Sequence, residues 1–255
     1  MKPPALALIV PCYNEATRLD EPAFRDFVSS RPSVTMLFVD DGSTDATFEI
    51  LGRLEKSAPG RIGVLRLEAN RGKAEAVRLG ILEGIRRQAE LVGFWDADLS
   101  TPLEAIDDFL ALMAKRPEMD LVLGSRVMLM GRDIRRSAWR HYLGRVFATA
   151  ASLTLDLPVY DTQCGAKVFR VNEATASVFA RPFCSRWIFD VEILARYLAV
   201  PNRPGDPRRR SRIYEVAVPA WHDVAGTKLR ASDFVRSMSE LVGIWRDRAA
   251  RPPSR

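Results

Sequence analysis

The chain has 255 residues, of which 47% are hydrophobic and 27% charged, with a formal net charge of +6. That length and apolar content suit one domain with a large buried core and exclude a disordered or low-complexity protein. The charge suits a phosphate-bearing partner and serves solubility equally well. The apolar run Ala5–Val10 is far shorter than the roughly 20 residues that cross a bilayer, and no cleavage-type leader follows it, so the sequence predicts a cytoplasmic protein. Cys12, Cys164 and Cys184 lack C-x-x-C spacing and are expected to be buried, reduced thiols.

In chain order, LALIV (6–10) predicts a first strand and VTMLFVD (34–40) a second, with a helical pattern over Glu21–Ser30 between them. GVLRLE (63–68), LVGFWDAD (91–98) and DLVLGSR (120–126) predict three more strands, separated by helical patterns over Thr44–Ser57, Gly72–Gln88 and Pro102–Lys115. Apolar runs alternating with helices imply an α/β fold with a parallel, doubly wound sheet, whose ligands bind outside the carboxyl ends of the strands. The segments expected at those ends are PCYNE (11–15), DDGSTD (40–45), ANRGK (69–73), DADLST (96–101) and GSR (124–126), all polar and loop-forming.

These loops carry the chemistry. Asp96 and Asp98 are two residues apart, so a bend after Trp95 could aim both carboxylates at one point. A hard cation such as Mg²⁺ or Mn²⁺ takes such oxygens and keeps positions for phosphate. A lone D-x-D is more often a solvated turn; here four other equipped loops are expected at the same edge. Asp40 and Asp41 offer acceptors to a base or ribose, and Gly42 to Asp45 read as a capping turn. Lys73 at a helix start beside Gly72 suits a phosphate meeting backbone N–H groups and a positive charge. Together they imply a nucleoside diphosphate bridged to metal at Asp96 and Asp98.

PCYNE, FVDDGSTDAT, NRGKAEAVRLG, WDADLSTP and GSR, in this order and spacing, resemble the GT-A-fold inverting glycosyltransferases of family 2. DTQCGAKVFR (161–170), RWIFDVEIL (186–194) and VPAWHDVAGTKL (218–229) narrow the resemblance to the polyprenyl-phosphate sugar transferases, above all the dolichyl-phosphate β-glucosyltransferases. The resemblance implies a GT-A fold with a mostly parallel, Rossmann-like sheet flanked by helices. It implies one domain over 1–230, with a nucleotide-sugar half (1–126) and an acceptor half (127–230), then an amphipathic helix and tail (231–255). It also implies a nucleotide pocket of Pro11, Tyr13, Glu15, Val39, Asp41, Lys73, Asp96, Ala97, Asp98 and Lys228. Asp96 and Asp98 would hold Mg²⁺ or Mn²⁺, and Arg126, joined by Arg135, Arg136 or Arg140, would face the acceptor phosphate or the donor sugar. Ser100 stands where the mannose branch has a glutamine, and His222 where the branches carry an arginine or an acid.

The expected reaction moves a hexose, glucose from UDP-glucose, onto a polyprenyl phosphate. A phosphate monoester is already an anionic nucleophile, so no general base is required. Asp98, Arg126 and Asp190 are the catalytic candidates. Asp190 and Glu192 could bind sugar hydroxyls, Asp190 could serve as base were the acceptor a hydroxyl, and Glu192 reads equally as a helix-surface acid. Transfer to a glycan or small-molecule hydroxyl is the alternative, to which Ala166 gives weight because the glucose branch carries an aromatic residue there. A nucleic-acid binder is disfavoured because the ligand edge is acidic.

Basic segments remain. RSAWRHYLGRVFATAASLTL (136–155) interleaves Trp139, Tyr142, Leu143, Val146 and Phe147 with arginines, and Ala231–Arg248 carries a stripe of Phe234, Met238, Leu241, Val242 and Trp245. Both read as interfacial helices at the cytoplasmic membrane face or as helices packed on the core. Arg208, Arg209, Arg210 and Arg212 read as a solvated loop, or one that meets anionic headgroups.

Overall fold

A computed structural model describes residues 5–135, 138–201, 209–222 and 231–249, with the side chains of 135, 138–141, 231–235 and 248–249 outside the description. The expected strands form as β1 (Leu6–Cys12), β2 (Val34–Asp40), β3 (Ile62–Arg66), β4 (Leu91–Trp95) and β5 (Leu121–Ser125). Between them run α1 (Glu21–Ser30), α2 (Thr47–Ser57), α3 (Lys73–Arg86) and α4 (Ile106–Lys115), the last entered through a 3₁₀ turn at Leu103–Ala105. The second half adds β6 (Asp133–Arg135), α5 (Ala138–Leu155), β7 (Ala166–Arg170), α6 (Glu173–Phe179), α7 (Phe189–Ala199), β8 (Ile213–Ala217), β9 (Ala220–His222) and α8 (Ala231–Ala249).

The sheet order is β3-β2-β1-β4-β7-β5-β8, and β6 pairs with β9 in a separate parallel ribbon. The sheet is parallel except for β7, which runs antiparallel between β4 and β5. Its start, Ala166, therefore pairs with Trp95 at the end of β4, which brings the 161–165 loop to the edge where the parallel strands finish. That single reversal adds a loop from the second half to those of the first.

Both sheet faces are buried, so the strands read as continuous apolar runs. Along β1, Ala7 and Ile9 face one layer with α3 and α5–α8, while Leu6, Leu8 and Val10 face the other with α1, α2 and α4. Leu241 and Ile244 of α8 join the first layer, which also packs Phe94 against Phe169 and Phe189. The Val39 side chain is fully buried in this layer, so only its backbone is available at the strand end. Cys12 and Cys164 are buried, and desolvation pushes the Cys164 thiol up to about 11, so it stays protonated. Cys184 is exposed, which corrects its reading as a buried thiol.

Of the arginine cluster, Arg209 and Arg212 are partly buried and engaged with the fold, while Arg210 is exposed. Arg209 donates to the carbonyls of Val200 and Pro201. Arg209 and Arg212 both lie within 4 Å of buried Asp120, at 3.9 and 3.7 Å, and Arg210 pairs with Asp156 at 2.8 Å. Arg208 lies outside the described residues.

Helix α3 lies against β1 because Gly80 leaves no side chain there: a Cβ would stand 2.5 Å from Ile9 Cγ2 and 3.0 Å from Val39 Cγ2. Alanine gains about 1 kcal/mol of helix propensity over glycine, whereas overpacking a fixed core costs about 1–3 kcal/mol. Gly80→Ala is therefore expected to lower the urea midpoint with an unchanged m-value; a higher midpoint would show that the α3–β1 contact yields.

Candidate active site

The site is built where β1, β2 and β4 end. Strand β4 stops at Trp95, whose indole N–H reaches back to the Thr101 carbonyl at 2.8 Å and closes the 96–101 loop into a compact turn. Leu99 takes the left-handed conformation (φ 52°), and Asp98 Oδ1 accepts the Ser100 N–H at 3.0 Å, an Asx turn. The two acids thus follow the strand instead of sitting within it. Asp96 donates its N–H to the Gly165 carbonyl at 3.1 Å, and a Cβ on Gly165 would fall on the Asp96 carboxylate. Only glycine lets the second-half loop pass so close.

Lys73, at the start of α3, pairs with Asp96 at 2.5 Å. Burial pulls its ammonium down, yet Asp96, Asp190 and Asp98 together hold its pKa above the ordinary lysine value. Asp190 lies in the first turn of α7 and takes a hydrogen bond of 2.5 Å from Lys167, which is fully buried on β7 and also donates to the Cys164 carbonyl at 2.6 Å. A buried ammonium is tolerated only when paired and hydrogen-bonded, as here. Lys167, Asp190, Lys73 and Asp96 therefore alternate in charge across the site. Sequence reasoning did not single out Lys167, whose carboxylate partner Asp190 lies 23 residues further along the chain.

The acidic loop after β2 spends its carboxylates on backbone. Asp40 accepts the Ser43 N–H at 3.0 Å, and Asp41 accepts those of Arg71 and Gly72 at 2.7 and 2.8 Å. Asp45 takes the Ala16 and Thr47 N–H groups at 3.2 and 3.0 Å. Gly42 (φ 70°) packs so tightly on the 69–70 backbone that a Cβ would stand 2.6 Å from it. Asp41 is buried, and desolvation raises its pKa against those two backbone bonds. The paired acids therefore first clamp the 40–45 and 69–72 loops together. Ala97 is buried, Pro11 is half-buried and Tyr13 is 43% exposed.

Glu15 pairs with Arg18 at 2.6 Å, and its Oε2 is buried without a hydrogen-bond partner among the described residues. Desolvation raises its pKa against Arg18, and the negative charge of Asp98 and Asp96 adds to the rise. Those two acids and Glu15 therefore share one electrostatic environment. Among the described residues no three potential ligands close on one point, so Asp96 and Asp98 alone leave most of a cation's coordination open. Two carboxylates with open positions fit a hard cation shared with a diphosphate.

Just after β5, Arg126 is locked bidentately to Asp161, with Nε–Oδ2 2.6 Å and Nη2–Oδ1 2.9 Å. Trp221 lies 5.3 Å from its guanidinium, and Asp161 raises its pKa despite burial. Asp161 in turn sits on Glu215, which accepts its N–H at 2.6 Å. Asp161 was missed because its partner lies 35 residues earlier in the chain. Arg126 keeps Nη1 beyond this fork. Glu192 is buried, receiving the N–H groups of Cys184 and Ser185 and pairing with Arg196 at 2.7 Å, which corrects its reading as a sugar ligand or surface acid. Arg135 and Arg140 lie in β6 and α5 with side chains outside the description; Arg136 and Lys228 lie outside the described residues. Ser100 is buried, its carbonyl accepting the His222 N–H at 3.0 Å, and the His222 ring lies 2.8 Å from Asp133.

The folded state binds the Glu15 proton more tightly than the unfolded chain does. This carboxyl therefore favours folding below its unfolded range and disfavours it as pH rises through the raised folded value. Glu15→Gln is expected to raise Tm at neutral pH, with the gain vanishing on acidification below about pH 4. A Tm difference independent of pH would contradict this.

The model of the family described as Glycosyl transferase family 2 matches residues 7–173. The chain is 34% identical over 265 residues to a dolichyl-phosphate beta-glucosyltransferase of Dictyostelium discoideum, covering 94% of this chain and 76% of that one. It is 34% identical over 266 residues to the enzyme of the same name from Drosophila melanogaster, covering 94% and 77%. A solved structure of glucosyl-3-phosphoglycerate synthase from Mycobacterium tuberculosis, in complex with Mn²⁺, UDP and glucosyl-3-phosphoglycerate, superposes with a TM-score of 0.66 at 16% identity, over 98% of this chain and 82% of that one. The fold is that of the GT-A glycosyltransferases. The chain is a glycosyltransferase and belongs to glycosyl transferase family 2.

Proposed function

We propose that the protein transfers glucose, with inversion, from UDP-glucose to a polyprenyl phosphate of the dolichyl type. The observation that carries this reading is the meeting of Asp96, Asp98 and Lys73 at one sheet edge, in a chain similar along almost its whole length to enzymes named for that acceptor. Asp96 and Asp98 would hold Mg²⁺ or Mn²⁺, which when bound supplies positive charge to the donor diphosphate. Lys73 lies where it can pass from Asp96 to a diphosphate oxygen, and the α3 N-terminus offers N–H groups beside it. Lys228 is a further donor candidate.

The acceptor phosphate oxygen attacks the anomeric carbon, the bond from that carbon to the β-phosphate oxygen breaks, and UDP leaves. An α-linked donor thereby gives a β-linked lipid phosphate sugar. The nucleophile is already an anion, so the chain need only position it, and the Nη1 side of Arg126 offers donors for that task. Arg135, Arg136 and Arg140 belong to the same basic segment. Asp190, tied through Oδ1 to Lys167, serves better to hold a sugar hydroxyl than to take a proton.

Peripheral contact with the cytoplasmic membrane face is supported by exposed apolar residues. Tyr142, Val146 and Leu153 recur on one face of α5, Val242 and Trp245 project from α8, and Met128, Leu129 and Met130 are exposed before β6. Among the described residues no helix is long and apolar enough to cross a membrane.

Incubation with UDP-glucose, Mg²⁺ or Mn²⁺ and a short polyprenyl phosphate is expected to yield a lipid-linked β-glucose. Transfer only to a soluble hydroxyl acceptor would overturn the reading. In the same assay Asp98→Ala is expected to reduce turnover at least about a hundredfold, the scale on which catalytic electrostatics act; near-normal metal-dependent turnover would remove Asp98 from the site.

A further inference from the structure

The loop leading into α7 is unusually well fixed for an exposed segment. Glu192 of α7 accepts the N–H groups of Cys184 and Ser185, at 3.2 and 2.8 Å. Glu240 of α8 accepts the Ser185 hydroxyl at 2.5 Å and the Trp187 N–H at 3.3 Å, while Ser185 Oγ also accepts the Ile188 N–H at 2.9 Å. Arg196 holds the preceding turn by donating to the carbonyls of Val178, Arg181 and Pro182 at 3.0, 2.7 and 2.6 Å. Two carboxylates from two helices thus fix the backbone on both sides of Arg186, a residue in none of these bonds.

The Arg186 side chain lies over the start of α3. A Cβ built on Gly72 would stand 3.6 Å from its Nη2 and 3.7 Å from its Nε, so the guanidinium edge faces the Gly72 backbone. Gly72 (φ 92°) is the residue immediately before α3, and Lys73 follows it. The nearby Asp41 carboxylate feels the Arg186 charge, but its oxygens are already bonded to the N–H groups of Arg71 and Gly72. Among the described residues no carboxylate forms an ion pair with Arg186, which is exposed. A preorganised guanidinium beside a helix N-terminus and a second cation matches a phosphate group, which arginine binds through two parallel N–H donors. Rigid support of the loop keeps the ordering cost of binding small.

We infer that Arg186 is a donor-binding residue that contacts the diphosphate of the nucleotide sugar, positioned by Glu240 of α8. This rests on the nucleotide-sugar reading above and adds to it a contact from the second half of the chain. It also ties α8, whose Val242 and Trp245 are exposed, to the donor site through one carboxylate.

Titration calorimetry with UDP and with uridine, on the full chain with Mn²⁺, tests it. Arg186→Ala is expected to weaken UDP binding tenfold or more, to leave uridine affinity unchanged and to reduce the salt dependence of UDP binding. Arg186→Lys should recover part of the loss, and Glu240→Gln should weaken UDP binding by a smaller factor. Arg186 is exposed, so an unchanged circular dichroism melt should accompany the loss. UDP affinity in Arg186→Ala equal to that of the unsubstituted chain overturns this inference alone. An unsubstituted chain that binds no UDP overturns the donor reading and this inference with it.

Discussion

The close passage of Gly165 over Asp96 is the constraint on which the ligand edge depends. It exists because β7 runs backwards between β4 and β5, delivering the 161–165 loop to the end of β4. The Asp96 N–H is taken by Gly165, its carboxylate has room only because Gly165 lacks a Cβ, and Lys73 neutralises it. Lys167, from the same reversed strand, fixes Asp190 beside Lys73. The antiparallel strand and the loop that enters it thus supply both the glycine that admits Asp96 and the buried cation that balances its surroundings.

Carboxylates do most of the local building. Asp40, Asp41 and Asp45 bond backbone N–H groups within and between the loops after β1, β2 and β3. Glu215 holds Asp161, Asp161 holds Arg126, and Glu192 with Glu240 holds the 184–188 turn. Charge-assisted hydrogen bonds of this kind are about twice as strong as neutral ones, which lets polar loops remain ordered without an apolar core of their own. An edge so rich in acid repels a diphosphate until cations answer it. On the donor reading proposed above, Lys73, Arg186 and a hard cation at Asp96 and Asp98 would supply that answer.

The first half was legible because parallel strands buried on both faces read as apolar runs and their polar ends mark the ligand edge. Asp96, Asp98 and Lys73 were found that way. Boundaries moved by a few residues where a turn replaced regular structure: β4 stops at Trp95, and α2 begins at Thr47, whose N–H Asp45 accepts. The second half was less legible, because its key partners are distant in sequence. Lys167 was not singled out, Glu192 read equally as a sugar ligand or a surface acid, and Arg212 read as part of a basic run. Each is explained only by the acid or backbone group that the fold brings to it. Val39 shows what alternation adds: its side chain turns inward, which leaves its backbone as the part at the strand end.

On the proposed reading, Lys73 holds a carboxylate that a metal and a donor diphosphate would share. Anomalous diffraction from crystals grown with Mn²⁺ and UDP tests this most directly. A manganese peak is expected at Asp96 and Asp98, with the Lys73 ammonium transferred from Asp96 to a diphosphate oxygen. A manganese ion bound elsewhere, or UDP bound with the Lys73–Asp96 pair intact, would contradict it.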